Sequence, residues 1–166
     1  MTLLQKSNYR PGQIGALMDE YERAAGELNS LIKTISEDTF VKIVDEQTND
    51  ENCRSVQSIV SHVINSGYTY ADYLREYFGL GSSLPGRALL SKQEFLNQLI
   101  LMLRYTSESL EDHWEMTDEE VQKAEIKSRW GSIYDIEQLL EHAIVHILRH
   151  RRQIEKFFAS GKISLI

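Results

Sequence analysis

The sequence predicts an all-α protein, a four-helix bundle, and three observations carry that expectation. Glycine and proline are sparse inside four long segments and gather between them. Apolar residues within those segments recur at helical spacing. No segment shows the Val-, Ile- and Thr-rich alternation of a strand, so none is expected. A chain of 166 residues reads as a single domain, 1–166. At that length folding removes about 70% of the unfolded surface from water, and one core suffices. With 42% hydrophobic and 26% charged residues the chain has a soluble globular profile.

The first helix opens at Pro11, a residue favoured in a first turn. Ile14, Leu17, Met18, Tyr21, Ala25, Leu28, Leu31, Ile32 and Ile35 follow at helical spacing, and the helix closes near Ser36. Residues 37–52 are polar and read as a loop. The second helix runs from about Cys53 to Phe78 on the stripe Val56, Ile59, Val60, Val63, Ile64, Ala71, Leu74 and Phe78. Gly67 lies inside it and costs about 1 kcal/mol against Ala. "GLGSSLPG" then breaks the chain.

Ser91 with Glu94 is a capping-box pattern that opens the third helix. Phe95, Leu96, Leu99, Met102, Leu103, Leu110 and Trp114 carry it. Residues 115–131 form a connection with one turn at "TDEE". Ser132 and Asp135 mark the start of the fourth helix, which runs to about Ser160, and Gly161 is a natural stop. Four helices of about 25 residues are each roughly 37 Å long. Matched lengths favour a bundle.

Composition excludes several classes. The formal charge is −7, and the densest basic patch is only Arg149, Arg151 and Arg152. Binding to a nucleic-acid backbone needs several cations on one face, so no nucleic-acid partner is expected. Cys53 is the single cysteine, and nothing points to an oxidising compartment. No apolar run of about 18 residues exists, so no membrane span is expected. "MTLLQKSNYRPG" lacks a signal-peptide core. A cytoplasmic location is the expectation.

Three of the five histidines fall in "EHAIVHILRHRRQIE". On the wheel of the fourth helix, His150 lies roughly 35° from the centre of the apolar stripe, His146 roughly 75° and His142 roughly 115°. Buried imidazoles need partners for their ring nitrogens. Two histidines at i and i+4 share a face and can both reach one metal ion, which takes a lone pair from each. The competing reading is a set of ordinary core or rim histidines bonded to backbone, water or Tyr. A third ligand has to come from another segment. His62 lies inside the second helix but off its Val60–Leu74 axis, and His113 ends the third helix beside Trp114.

The stretch His146, His150, Arg151, Arg152, Gln153, preceded by "RWGSIYDIEQLL", resembles the last-helix signature of the DinB/YfiT-like superfamily of metal-binding four-helix bundles. Many members carry Gly where this chain has Arg152. "SHVINSGYTYADYL" resembles the other metal-bearing segment of that family. The resemblance spans all four helices, although only these two segments are diagnostic. It implies up-down-down-up connectivity, with long joins between the second and third and between the third and fourth helices. It also implies a divalent metal held by His62, His146 and His150, zinc or nickel foremost, with manganese, iron and cobalt as alternatives. Members of the family include thiol-dependent transferases and isomerases that use low-molecular-weight thiols.

Three protein ligands leave coordination positions open, whereas a structural zinc site is normally closed by four. An open divalent site lowers the pKa of water to about 7 or holds a thiolate. The expected function is therefore a metal-dependent enzyme, of the thiol-dependent transferase or hydrolase type, acting on a small molecule. The alternative is a non-catalytic metal-binding or stress-associated bundle. His142, Arg149, Arg152 and Tyr73 are candidates for contacts behind the ligands or to substrate. The arginines suit an anion, against the plainer reading of solvated charges in the C-terminal half of a helix. Asp72 and Glu141 are weaker candidates of the same kind. Cys53, nine residues from His62 and so about 13 Å away along a helix axis, reads as structural. Exposed apolar residues on one face leave a homodimer as a further expectation.

Overall fold

The computed structural model describes residues 9 to 164; residues 1–8 of the segment read for a signal peptide lie outside them. Four long helices form the bundle: α1 (Gly12–Lys33), α3 (Val56–Tyr77), α4 (Lys92–Glu108) and α6 (Ile136–Ala159). Short helices α2 (Glu37–Val41) and α5 (Asp118–Gln122) sit in the connections. Strands β1 (Ile126–Lys127) and β2 (Ile133–Tyr134) pair antiparallel ahead of α6.

The ends of the helices follow from local chemistry. Ser55 accepts from the Ser58 N–H while the Ser58 hydroxyl accepts from the Ser55 N–H, closing a capping box on α3. Ser91 and Glu94 do the same on α4, as the sequence predicts. Asp135 and Gln138 do so on α6, so Asp135 and not Ser132 is the cap. Gly161, at φ +70°, follows the end of α6 in the left-handed region that favours glycine.

Contacts along the rods fix their directions. Arg151, in the C-terminal half of α6, pairs with Glu27 in the C-terminal half of α1, so these two helices run parallel. Gln57, at the start of α3, donates to the Leu90 carbonyl just ahead of α4 at 2.9 Å. Late in the same pair, the Tyr105 hydroxyl donates to Asp72 at 3.1 Å. Hence α3 and α4 are parallel too. Lys92, at the start of α4, donates to the Ile35 carbonyl just past α1 at 2.6 Å, so α1 and α4 oppose each other. The connectivity is up-down-down-up, as the resemblance implies.

Three expectations need correction. Residues 37–52 are not all loop: Ser36 caps α2 and Phe40 is fully buried, which anchors one helical turn. The third helix stops at Glu108 rather than near Trp114, because residues 111–113 tighten into a 3₁₀ turn that keeps Leu110 in the core. A strand pair does exist. With two residues in each strand, it is too short to register as alternation in the sequence. Among the described residues, no helix is long and apolar enough to cross a membrane.

Candidate metal centre

His146 and His150 stand one turn apart on α6, on the face that also buries Leu139, Ala143 and Ile147. Both are buried, at 5% and 4% exposure. His62 comes from the facing α3 and is half-buried. Its ring centroid lies 4.9 Å from that of His146 and 5.1 Å from that of His150. One ring nitrogen from each of the three lies within 4.8 Å of the other two. The Nε2 atoms of His62 and His146 are 3.1 Å apart.

The apolar axis of α3 points away from His62 because α3 packs on two neighbours, α4 and α6. Its mean apolar direction runs between them, and His62 lies on the side facing α6. The wheel of one helix therefore misplaces it.

Burial favours the neutral form of all three rings. Burial pushes the His146 imidazole down to about 2, and the nearby His150 adds to the shift. Burial likewise lowers His150, to about 4, against the opposing hydrogen bond to Gln153. His62 is also lowered, again chiefly by burial. Neutral imidazoles offer lone pairs, which is the state a metal ligand requires. Gln153 Oε1 lies 3.1 Å from His150 Nδ1, so that nitrogen carries the proton and donates it. His150 Nε2 is left as the lone-pair nitrogen, buried and without a hydrogen-bond partner.

The donor set fits a divalent metal. Two nitrogens each about 2.0–2.1 Å from one tetrahedral ion stand roughly 3.3 Å apart, close to the 3.1 Å between His62 and His146. A buried, unpaired Nε2 is otherwise costly, and an ion would satisfy it. Among the described residues, this is the one group of three or more His, Cys, Asp or Glu that could hold a metal, and no fourth such side chain joins it.

The other predicted residues divide. His142 is half-buried in an aromatic nest: Trp130 stacks on it at 5.7 Å, Tyr70 meets it edge-on at 5.2 Å, and the Tyr134 hydroxyl is 3.5 Å from its Nδ1. Its ring is 6.5 Å from that of His146, so it backs the cluster from one turn away. Tyr73 does not reach the cluster; its hydroxyl accepts from the Arg129 N–H at 2.9 Å and tethers the β1–β2 hairpin. Tyr70 takes the place next to the histidines, edge-on to His146 at 5.6 Å. The i+4 ladder His62, Ser66, Tyr70 carried that signal. His113 stacks on Phe78 at 3.6 Å, away from the cluster. Asp72 serves Tyr105, and Glu141 is exposed.

His62 and His150 open onto a cleft of about 690 Å³ that Arg149 and Arg152 also line. Cys53 lines it as well, contrary to the estimate along a helix axis. It lies ahead of α3 in a 3₁₀ turn that folds toward α6, placing its Sγ 3.7 Å from Gln153 Oε1. Burial raises its thiol pKa, so it is not an activated nucleophile. Lys156 and Asp50, which the sequence reading did not single out, complete the charged lining. Lys156 was legible as one more turn beyond Arg152.

A family model described as DinB family matches residues 5–157. No curated protein matches the chain.

Proposed function

The chain belongs to the DinB family, and from that premise we propose that it is a metal-dependent enzyme of the thiol-dependent transferase or hydrolase type, acting on a small molecule. The observation that carries this reading is the convergence of three imidazole nitrogens within 4.8 Å, with no fourth protein ligand among the described residues. Closed structural zinc sites normally take four ligands, and three leave room for a reacting molecule.

In this reading His62, His146 and His150 hold the ion, and the all-nitrogen donor set suits zinc or nickel. When bound, such an ion supplies the Lewis acidity that activates a water or a thiol. Gln153 holds the proton of His150 at Nδ1 and keeps Nε2 aimed at the cluster. Tyr70 and the nest around His142 fix the His146 ring from behind. Val145 and Leu148 give the cleft an apolar flank. Asp50 is the acidic residue lining this cleft. Its carboxyl is held below the usual range chiefly by the Asn52 N–H, which favours the ionised form and makes it a weak base.

Elemental analysis of the wild-type protein and a His146→Ala variant tests the ligand set. We expect about one divalent ion per wild-type chain and a helical but metal-poor variant. A variant that keeps a full metal equivalent would sink the assignment. Panels of electrophiles with thiol co-substrates, and of esters and amides, then separate transferase from hydrolase.

A further inference from the structure

The whole chain carries 25 acidic and 18 basic residues, yet the surroundings of its histidines are positive. Arg149, Arg152 and Lys156 lie three and four residues apart along one face of α6 and line the cleft onto which His62 and His150 open. Arg87 and Arg129 line the adjoining depression, which also reaches His62. Among the acids, only Asp50 lines the first hollow and Glu51 the second.

Ion pairing sets four of the remaining arginines apart from these cations. Arg10, Arg23, Arg54 and Arg151 each have a carboxylate within 4 Å. Arg151 is the informative case: it is adjacent to Arg152 in sequence, but turns toward α1 and pairs with Glu27 and Glu155. Arg87, Arg129, Arg149, Arg152 and Lys156 form none of the ion pairs found among the described residues. Arg75 and Arg104 are likewise outside those pairs, but Arg75 donates to the Gly81 carbonyl and Arg104 lines other hollows. Of the six arginines without a carboxylate partner among the described residues, four border the two adjoining hollows that reach His62. His150, whose buried Nε2 has no hydrogen-bond partner, lines the first of these hollows.

We propose that the substrate of this site is a small anion, bearing a carboxylate or phosphate that Arg149 and Arg152 grip while its reacting atom reaches the histidines; this rests on the metal-site reading above. Two guanidinium groups on one face suit the planar oxygen pairs of such groups. The Cα atoms of both arginines lie within about 3 Å of that of His150 along the axis, and all three residues line the same cleft. The substrate is therefore small enough for its acid group and its reacting centre to share that one cleft. The cleft volume of about 690 Å³ lies within the usual range for small ligands. Positive residues around the mouth also raise the local concentration of an anion over that of a neutral molecule.

Titration of the purified protein with inorganic phosphate, followed by ¹H–¹⁵N NMR including arginine Nε–H signals, tests this. Metal content is measured on the same samples. We expect the Arg149, Arg152 and Gln153 signals to move first and saturate together. Arg149→Gln with Arg152→Gln should weaken phosphate binding tenfold or more at unchanged metal content, and Lys156→Ala should weaken it less. Arg151→Gln should bind phosphate as the wild type does. Equal affinity in the double variant and in Arg151→Gln overturns the proposal, as do shifts spread evenly over all exposed arginines. Metal without site-specific phosphate binding rejects the anion and leaves the metal reading standing. Phosphate bound at these arginines in a protein that takes up no metal rejects the metal reading instead.

Discussion

Gln153 Oε1 is the acceptor that holds the His150 proton at Nδ1. Replacing Gln153 with Leu removes it, and the ring is then free to turn or to change tautomer. Partners behind metal-ligating histidines typically contribute 10–100-fold to affinity, and we expect a loss of about that size. Gln153→Glu keeps an acceptor oxygen and should retain most of the affinity. Competition against a chromophoric chelator reads both variants; equal affinity in Gln153→Leu would show that the carboxamide does not orient the ring. At this scale the sequence was informative where spacing repeats. His146 and His150 announce themselves at i and i+4. His62 was the best third candidate by its place inside a long helix. Family resemblance strengthened it against a wheel that misplaces it, because its helix is buried in two directions. Gln153 was visible as a letter of the signature, but its role depends on a ring orientation that spacing does not encode.

Gly67 shows how two elements are fitted together. A Cβ there would stand 2.6 Å from Met102 Sδ and 3.0 Å from its Cγ and Cε. Met102 is fully buried, with the Tyr21 hydroxyl 3.5 Å from its sulfur, so it has little room to yield. In an open helix Gly→Ala gains about 1 kcal/mol. Here overpacking, typically 1–3 kcal/mol, opposes that gain. We expect Gly67→Ala to be destabilising by about 1 kcal/mol, read from urea unfolding; a stabilised variant would mean that Met102 repacks freely. The sequence treats this glycine as a mere cost, since nothing local reveals that α4 passes so close. The four long helices were legible because each keeps one apolar stripe over many turns. Helix α2 was hidden because a single buried residue, Phe40, carries it. The third helix was read too long because Leu110 and Trp114 continue its spacing through a tighter turn.

At the scale of the molecule, the histidines join α3 to α6, helices that run in opposite directions. Cys53, ahead of α3, meets Gln153 late in α6, while Tyr70, late in α3, meets His142 early in α6. An ion held by both helices binds the folded chain in preference to the unfolded one. At a free ion concentration of about 100 times Kd this adds about 2.7 kcal/mol, which for a chain this long corresponds to roughly 5–10 °C in Tm. Calorimetry before and after chelation should show a fall of that size in wild type and none in His146→Ala. An unmoved wild-type midpoint would mean that no ion ties these helices together.

The parallel pairing of α3 with α4 obliges the chain to travel back along the bundle between them, and it does so through the exposed stretch 79–89. Arg87 stands in that stretch, open to a trypsin-like protease. A single nick there parts the molecule into a piece bearing His62 and a piece bearing His146 and His150. The centre would then be shared by two polypeptides, and an ion captured by the mixture, but by neither half alone, would report their reunion.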